Sequence, residues 1–202
     1  MSHTRATAPL LGGVALLERA INYTLGSLRL VTPDALSYRT PCREWDLDDL
    51  LGHMDDSLAA LCEAIDLGHV ALDHPTDSDL ADVGVDRVRS LRNRACRLLG
   101  AWNSAGAQDD LISVAGCPIT AGIVGTAGAV EVAVHGWDVA RACGADRPIP
   151  APLAEQMLEL VPLLVTEQDR PGRFAPQVDV SPGAVAGDRL LAFLGRDPAA
   201  PG

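Results

Sequence analysis

The sequence predicts a helical bundle, and two observations carry that prediction. Apolar residues recur at spacings of three and four over long stretches, as they do on one face of an α-helix. Alternating apolar and polar runs, which are typical of half-buried strands, are almost absent. The 202 residues are enough for one domain with a proper core. We therefore expect a single all-α domain over residues 1–202, with four long helices, accessory C-terminal helices and a flexible tail at residues 1–11.

The first two helices are predicted from apolar stripes and a helix-start signal. The first stripe consists of Val14, Leu17, Ile21, Leu25 and Leu28. Asp46 is a good N-cap residue, and Asp49 three positions later suits the positive end of the helix dipole. A second stripe follows Asp46 and comprises Leu47, Leu50, Met54, Leu58, Leu61 and Ile65. The polar stretch from Gly68 to Asp82 is predicted to be a loop.

The later helices follow from the same patterns. The third has apolar residues from Val85 to Trp102, and its five arginines are expected on a solvated face. The uncharged run from Leu111 to Val130 is interrupted by proline and glycines, so it is predicted to be a loop entering a buried fourth helix rather than a membrane span. The fourth helix is expected within about residues 121–143. A fifth begins near Pro152, residues 174–180 are extended, and the last helix stops at Gly195.

Composition excludes several functions. The chain has 16 basic and 27 acidic residues, a net charge of −11, which disfavours nucleic-acid binding. All basic residues are arginines, which excludes a P-loop lysine, a Schiff-base lysine and a lysine general base. The five cysteines form no CxxC pair, and no signal peptide is convincing. We expect a cytoplasmic protein with reduced cysteines and no membrane partner.

A polar stripe on the fourth helix carries most of the chemical information. Glu131, His135 and Asp138 stand at i, i+4 and i+7 on an otherwise apolar helix. An unpaired buried carboxylate costs several kcal/mol. Glu131 therefore needs either an arginine partner from another helix or a divalent metal that it shares with His135. The stripe alone leaves both possibilities open.

His53 on the second helix favours the metal. It lies beside the apolar stripe, where it can face the bundle interior, although a lone histidine there is more often a hydrogen-bonded core residue. His53, Glu131 and His135 together form a two-histidine, one-carboxylate set that leaves coordination positions open. Asp138 is expected to orient a ligand histidine, with a general-base role as the alternative.

Three motifs resemble one family. Residues 40–54 (TPCREWDLDDLLGHM) resemble the segment opening the second helix of DinB-like metal-binding proteins, and residues 131–138 (EVAVHGWD) resemble their second ligand segment. Residues 188–198 (DRLLAFLGRDP) resemble the ending of the mycothiol-dependent branch, which includes the N-terminal domain of maleylpyruvate isomerase. The resemblance implies a DinB-like four-helix bundle with metal ligands at His53, Glu131 and His135.

Several further residues in or near these motifs each have two possible roles. Trp45 and Trp137 are expected to pack near the site, and the alternative is that either walls a substrate or cofactor pocket. Arg43 and Arg189 are candidates for binding an anionic group, unless they pair with acidic neighbours. Cys42 precedes the second helix and could be a reactive thiol, but no His-Asn pattern supports a cysteine nucleophile.

The resemblance implies an enzyme whose metal holds mycothiol, a small thiol co-substrate, as its thiolate. S-transfer to a small electrophile is expected ahead of isomerisation, because the isomerase carries a further C-terminal domain and this chain stops at Gly202. The alternatives are thiol-independent hydrolysis, elimination or cyclisation, and a non-catalytic metal-binding bundle. Zinc is expected ahead of nickel, iron or manganese, in a monomer or homodimer.

Overall fold

Four long helices form the body of the molecule. The structure, a computed structural model, describes residues 13–42, 45–70, 85–105 and 110–200. The helices are α1 (Gly13–Ser27), α2 (Leu47–Leu67), α3 (Val85–Ala105) and α4 (Ala121–Ala142). α1 packs mainly against α4, and α2 contacts both α3 and α4. The all-α prediction is confirmed, while the tail predicted at residues 1–11 lies outside the described residues.

Shorter elements surround this bundle. A 3₁₀ turn (Pro33–Ser37) connects α1 to α2, and α5 (Ala151–Leu164) packs against α7 (Ala186–Phe193). α6 (Arg170–Arg173) is a single turn between them. Residues 174–180 contain neither helix nor strand, as expected. α7 ends as predicted, with Gly195 at a φ of 80° that favours glycine.

A small sheet corrects the prediction of loops on either side of α3. The strands are β1 (His69–Val70), β2 (Leu111–Val114) and β3 (Cys117–Thr120). β1 runs parallel to β2, and β2 pairs antiparallel with β3 through a turn at Ala115 and Gly116, both with positive φ. The prediction was wrong here because strands of two to four residues are too short to show an alternating pattern.

The start of α2 follows its sequence signal. The Asp46 side chain accepts a hydrogen bond from the Asp49 backbone N–H at 3.0 Å, and Asp49 accepts one in return from the Asp46 N–H at 3.3 Å. This reciprocal cap satisfies two backbone donors that the helix itself leaves unpaired. It fixes the first turn of α2, which lies two turns before His53.

α1 and α4 approach closely at Gly136. A Cβ added to Gly136 would lie 2.3 Å from Thr24 Oγ1 and 3.0 Å from Thr24 Cβ. The Thr24 hydroxyl donates to the backbone carbonyl of Val132 at 2.7 Å. The absence of a side chain at Gly136 therefore lets α1 lie directly against the helix that carries Glu131 and His135.

The arginines of α3 are only partly on a solvated face, which corrects the prediction. Three of them face α2 and pair with its aspartates: Arg87 with Asp48 at 3.4 Å, Arg94 with Asp55 at 2.9 Å, and Arg97 with Asp66 at 3.8 Å. The Arg94 pair is bidentate and partly buried. The arginines of α3 are thus matched by aspartates spaced along α2. The sequence pattern of α3 alone does not show which charges lie on the neighbouring helix.

α4 is buried along most of its length, as its all-round apolar sequence predicts. Glu131 of its polar stripe contacts His53 and Ser57 of α2, which places the candidate site between these two helices. None of the helices in the described ranges is long and apolar enough to cross a lipid bilayer.

Candidate metal centre

His53, Glu131 and His135 meet between α2 and α4. Glu131 Oε1 lies 2.6 Å from His53 Nε2 and 3.2 Å from His135 Nε2. One ligand atom from each residue falls within 4.8 Å of the other two. Two imidazole nitrogens directed at the same carboxylate oxygen are a donor set that suits zinc and related divalent ions. The residues therefore fit the metal that the sequence predicts.

Asp138 fixes the orientation of His135. Its Oδ2 lies 2.9 Å from His135 Nδ1, which leaves Nε2 directed at Glu131. Asp138 is fully buried, and Arg196 after α7 donates to its Oδ2 at 3.0 Å. A carboxylate that holds the far nitrogen of a ligand histidine sets the ring orientation and tautomer. Arg196 supplies the positive charge that a buried carboxylate requires.

The charges of the site are strongly coupled. Burial disfavours a charged Glu131, yet the charge of His135 and hydrogen bonds from both histidines hold the pKa of its carboxyl well below the usual range. Burial also disfavours a charged His135, but Glu131 and Asp138 raise the pKa of its imidazole well above the usual range. For Asp138, Arg196 and then His135 outweigh burial and lower its pKa. The Glu131 carboxylate is thus in the ionised form that binds a metal, whereas His135 must lose its Nε2 proton before that nitrogen can bind one.

Glu131 is compensated by the histidines rather than by an arginine. In the described part of the chain no arginine forms an ion pair with it, whereas Arg196 pairs with Asp138. Ser57 on α2 adds a hydrogen bond to Glu131 Oε1 at 3.2 Å. Of the two compensations that the sequence left open for Glu131, the arginine partner is not observed.

A tight turn before α2 brings Cys42 and Trp45 to the site. The Thr40 hydroxyl lies 3.0 Å from the Cys42 carbonyl and 2.9 Å from the Trp45 carbonyl. The ring of Trp45 then packs 4.6 Å from the ring of His53, centroid to centroid, and 6.3 Å from that of His135. Trp45 covers one side of both histidine rings, as expected for a residue near the site.

Cys42 lies near Nδ1 of His135, the ring nitrogen that does not face Glu131. Its thiol donates to Asp138 Oδ2 at 3.3 Å and lies 3.9 Å from His135 Nδ1. Cys42, His135 and Asp138 form a second group with metal-binding distances. Asp138 is already paired with Arg196, however, and His135 Nδ1 with Asp138. The first group, whose oxygen has only histidine and serine partners, is therefore the better metal centre.

Two of the three ligand side chains are partly exposed. The side chains of His53 and Glu131 are each 36% exposed, while that of His135 is 8% exposed. Beneath Glu131 and His135 lies a narrow apolar pocket of about 10 Å³, lined by side chains of α1, α2 and α3 and barely able to hold one water. A ligand of useful size therefore approaches from the open side of His53 and Glu131.

The remaining predicted residues differ in burial and in whether the structure describes them. Trp137 is buried in the hydrophobic core, so it packs as expected. Arg189 lies exposed on α7, and Arg43 lies outside the described residues. Sequence reasoning missed Arg196, although the argument applied to Glu131 also applies to Asp138: a carboxylate on a buried helix needs a cation.

The fold and the site define a helical bundle with a candidate two-histidine, one-glutamate metal centre. The family model "Mycothiol maleylpyruvate isomerase N-terminal domain" matches residues 17–140, more than half of the chain. The chain therefore belongs to this family, as its motifs predict. No curated protein and no solved structure gave a significant match.

Proposed function

We propose that this protein is a divalent-metal-dependent enzyme that uses mycothiol as co-substrate on a small electrophilic metabolite. The observation that carries the proposal is a set of three ligand side chains among the described residues, one from α2 and two from the buried helix α4, of which His53 and Glu131 are 36% exposed. A structural zinc site is closed by four protein ligands, whereas a catalytic site keeps one position open. Membership of a mycothiol-related family supports the choice of thiol.

His53, Glu131 and His135 are proposed to hold the metal, and Asp138 to orient His135. A bound divalent ion would lower the pKa of a thiol from its ordinary value of about 8.5 and so favour the nucleophilic thiolate at neutral pH. Asp138 is fully buried and holds Arg196, so it has no route to a substrate and positions the histidine instead. This geometry favours the orienting role over the general-base alternative.

Trp45 is proposed to form one wall of the substrate space. Its ring is half-buried and packs against the imidazole of His53, so its outer face is available to a ligand at the open position. Arg43 and Arg189 remain candidates for an anionic group of the substrate. The five cysteines are all free, which is consistent with a reducing cytoplasm as the place of this chemistry.

The experiment is an assay of zinc-loaded protein on a panel of electrophiles and esters, with and without mycothiol. Turnover that requires the thiol, and is lost in His135→Ala but retained in His69→Ala, would support the proposal. His69 is an exposed histidine outside the centre, which makes it the matched control.

The products distinguish the possible reactions. A thiol conjugate with consumption of mycothiol indicates S-transfer, and an isomerised substrate with regenerated thiol indicates isomerisation. Equal turnover without thiol would overturn the mycothiol assignment in favour of thiol-independent metal chemistry. No turnover on any substrate by metal-loaded protein would favour a non-catalytic metal-binding bundle.

A further inference from the structure

A second cavity lies between α3 and the segment after α1, away from the ligand atoms of the metal centre. It is a groove of about 580 Å³, within the range of small-molecule sites. Its apolar wall includes Val31, Leu36 and Val88, and its polar lining includes Arg29, Arg92 and Asn93. A groove with an apolar wall and a few polar groups resembles a ligand pocket more than a solvated surface.

The charged residues in the described lining of the groove are all arginines. Arg89 and Arg92 of α3 line the groove, and the α3 arginines on the side of α2 pair with its aspartates. Arg29 joins them from the segment after α1. No carboxylate belongs to the described lining, and neither Arg29 nor Arg92 forms an ion pair with another described residue. This concentration of positive charge occurs in a chain with a net charge of −11.

We propose that this groove binds a small molecule with an apolar body and one anionic head group. Arg29 and Arg92 hold the head group through charge-assisted hydrogen bonds, and the wall formed with Val31, Leu36 and Val88 covers the apolar body. Leu28 lines both this groove and the narrow pocket beneath His135. A ligand in the groove would therefore contact a side chain that also bounds the metal centre's pocket.

Cys96 provides a local reporter of occupancy. It is exposed and lines the groove, whereas the exposed Cys117 lies on β3 and does not. The probe is 8-anilinonaphthalene-1-sulfonate, which has an aromatic body and one sulfonate. We expect saturating probe to slow alkylation of Cys96 and to leave Cys117 unchanged, as measured by mass spectrometry on the full chain. Unchanged alkylation of Cys96 would overturn the proposal.

Two comparisons test whether the anionic head group of the ligand contributes to binding. The double variant Arg29→Ala/Arg92→Ala is expected to weaken probe binding about tenfold, while Arg97→Ala on the same helix leaves it within about twofold. N-phenyl-1-naphthylamine, which has the same rings without the sulfonate, is expected to protect Cys96 far less. Equal protection by this uncharged compound, or wild-type affinity in the folded double variant, would show a merely apolar groove and contradict the proposal.

Discussion

Arg196 and Asp138 form a buried ion pair that connects the turn after α7 to the helix carrying the metal ligands. Arg196 Nη2 lies 3.0 Å from Asp138 Oδ2, and the two side chains are 14% and 0% exposed. Gly195 makes this possible: its φ is 80°, and a Cβ there would lie 2.6 Å from the Ala175 carbonyl oxygen. The orientation of His135 therefore depends on a residue far away in the sequence.

Removing the cation should strongly destabilise the protein. We expect Arg196→Met to lower the free energy of unfolding by about 3–5 kcal/mol, because it leaves Asp138 buried without its partner. The measurement is urea denaturation at neutral pH. Arg173→Met is the control: its side chain is 77% exposed and 3.8 Å from Asp169, so the loss should stay within about 0.5 kcal/mol. Equal losses in the two variants would contradict the role given to the buried pair.

Metal should stabilise the fold. A ligand that binds only the native state adds about 2.7 kcal/mol at a free concentration of about a hundred times its dissociation constant. We expect the melting temperature to fall on chelation and to recover with zinc. In Glu131→Gln most of this shift should disappear, whereas Glu159→Gln, an exposed residue of α5, should retain it. A wild-type melting temperature that changes with neither chelator nor zinc would contradict the proposed metal centre.

Alanine should have opposite effects on stability at two helical glycines, one at the contact between α1 and α4 and the other at an open position on α3. Gly136→Ala places a methyl group against Thr24 and is expected to cost about 1–3 kcal/mol of stability. Gly100→Ala on α3 meets nothing within 4 Å and should stabilise by up to about 1 kcal/mol through helix propensity. Thermal unfolding monitored by circular dichroism measures both. Tolerance of alanine at Gly136 would mean that the two helices do not pack this closely.

Tyr23 should make the fold sensitive to alkaline pH. Its hydroxyl donates to the Arg147 carbonyl at 2.6 Å, and burial raises its pKa above the ordinary value near 10. The unfolded chain therefore releases this proton first, and stability falls as pH rises above about 10. Tyr23→Phe should lose about 1 kcal/mol at pH 7 but show a shallower decline between pH 10 and 11.5.

The control for this decline is Tyr38→Phe, because Tyr38 is 50% exposed and the chain contains no other tyrosine and no lysine. Denaturant unfolding at a series of pH values gives the slope. We expect Tyr38→Phe to decline as steeply as the wild type. A slope unchanged by Tyr23→Phe would show that the phenol does not stay protonated in the folded protein.

Much of the fold and of the ligand set follows from local patterns. Helical periodicity and the Asp46 cap predicted the helices, and the cost of burying Glu131 on an apolar helix predicted a compensating arginine or a metal shared with His135. These arguments concern residues of one element, where sequence spacing translates directly into geometry, whereas the inclusion of His53 from α2 came from its place beside an apolar stripe and from the family resemblance.

The features that the sequence did not predict are contacts between different elements of the fold. The strands around Ala115 are too short for a pattern, and the aspartates that receive the α3 arginines lie on another helix. Arg196 reaches Asp138 across 58 residues, and only the path of the chain through α5 and α7 brings them together. Arg189, from the same C-terminal run, lies on the exposed face of α7, and its role in binding an anionic group stays a prediction.

The most direct test of the metal centre is the metal content of the purified protein, measured by native mass spectrometry. We expect about one divalent ion per chain in the wild type and in the control His69→Ala. His53→Ala and His135→Ala each remove one of the three proposed ligands among the described residues, so both should lose the ion, His135→Ala completely. Metal content unchanged in both of these variants would contradict the assignment of His53, Glu131 and His135.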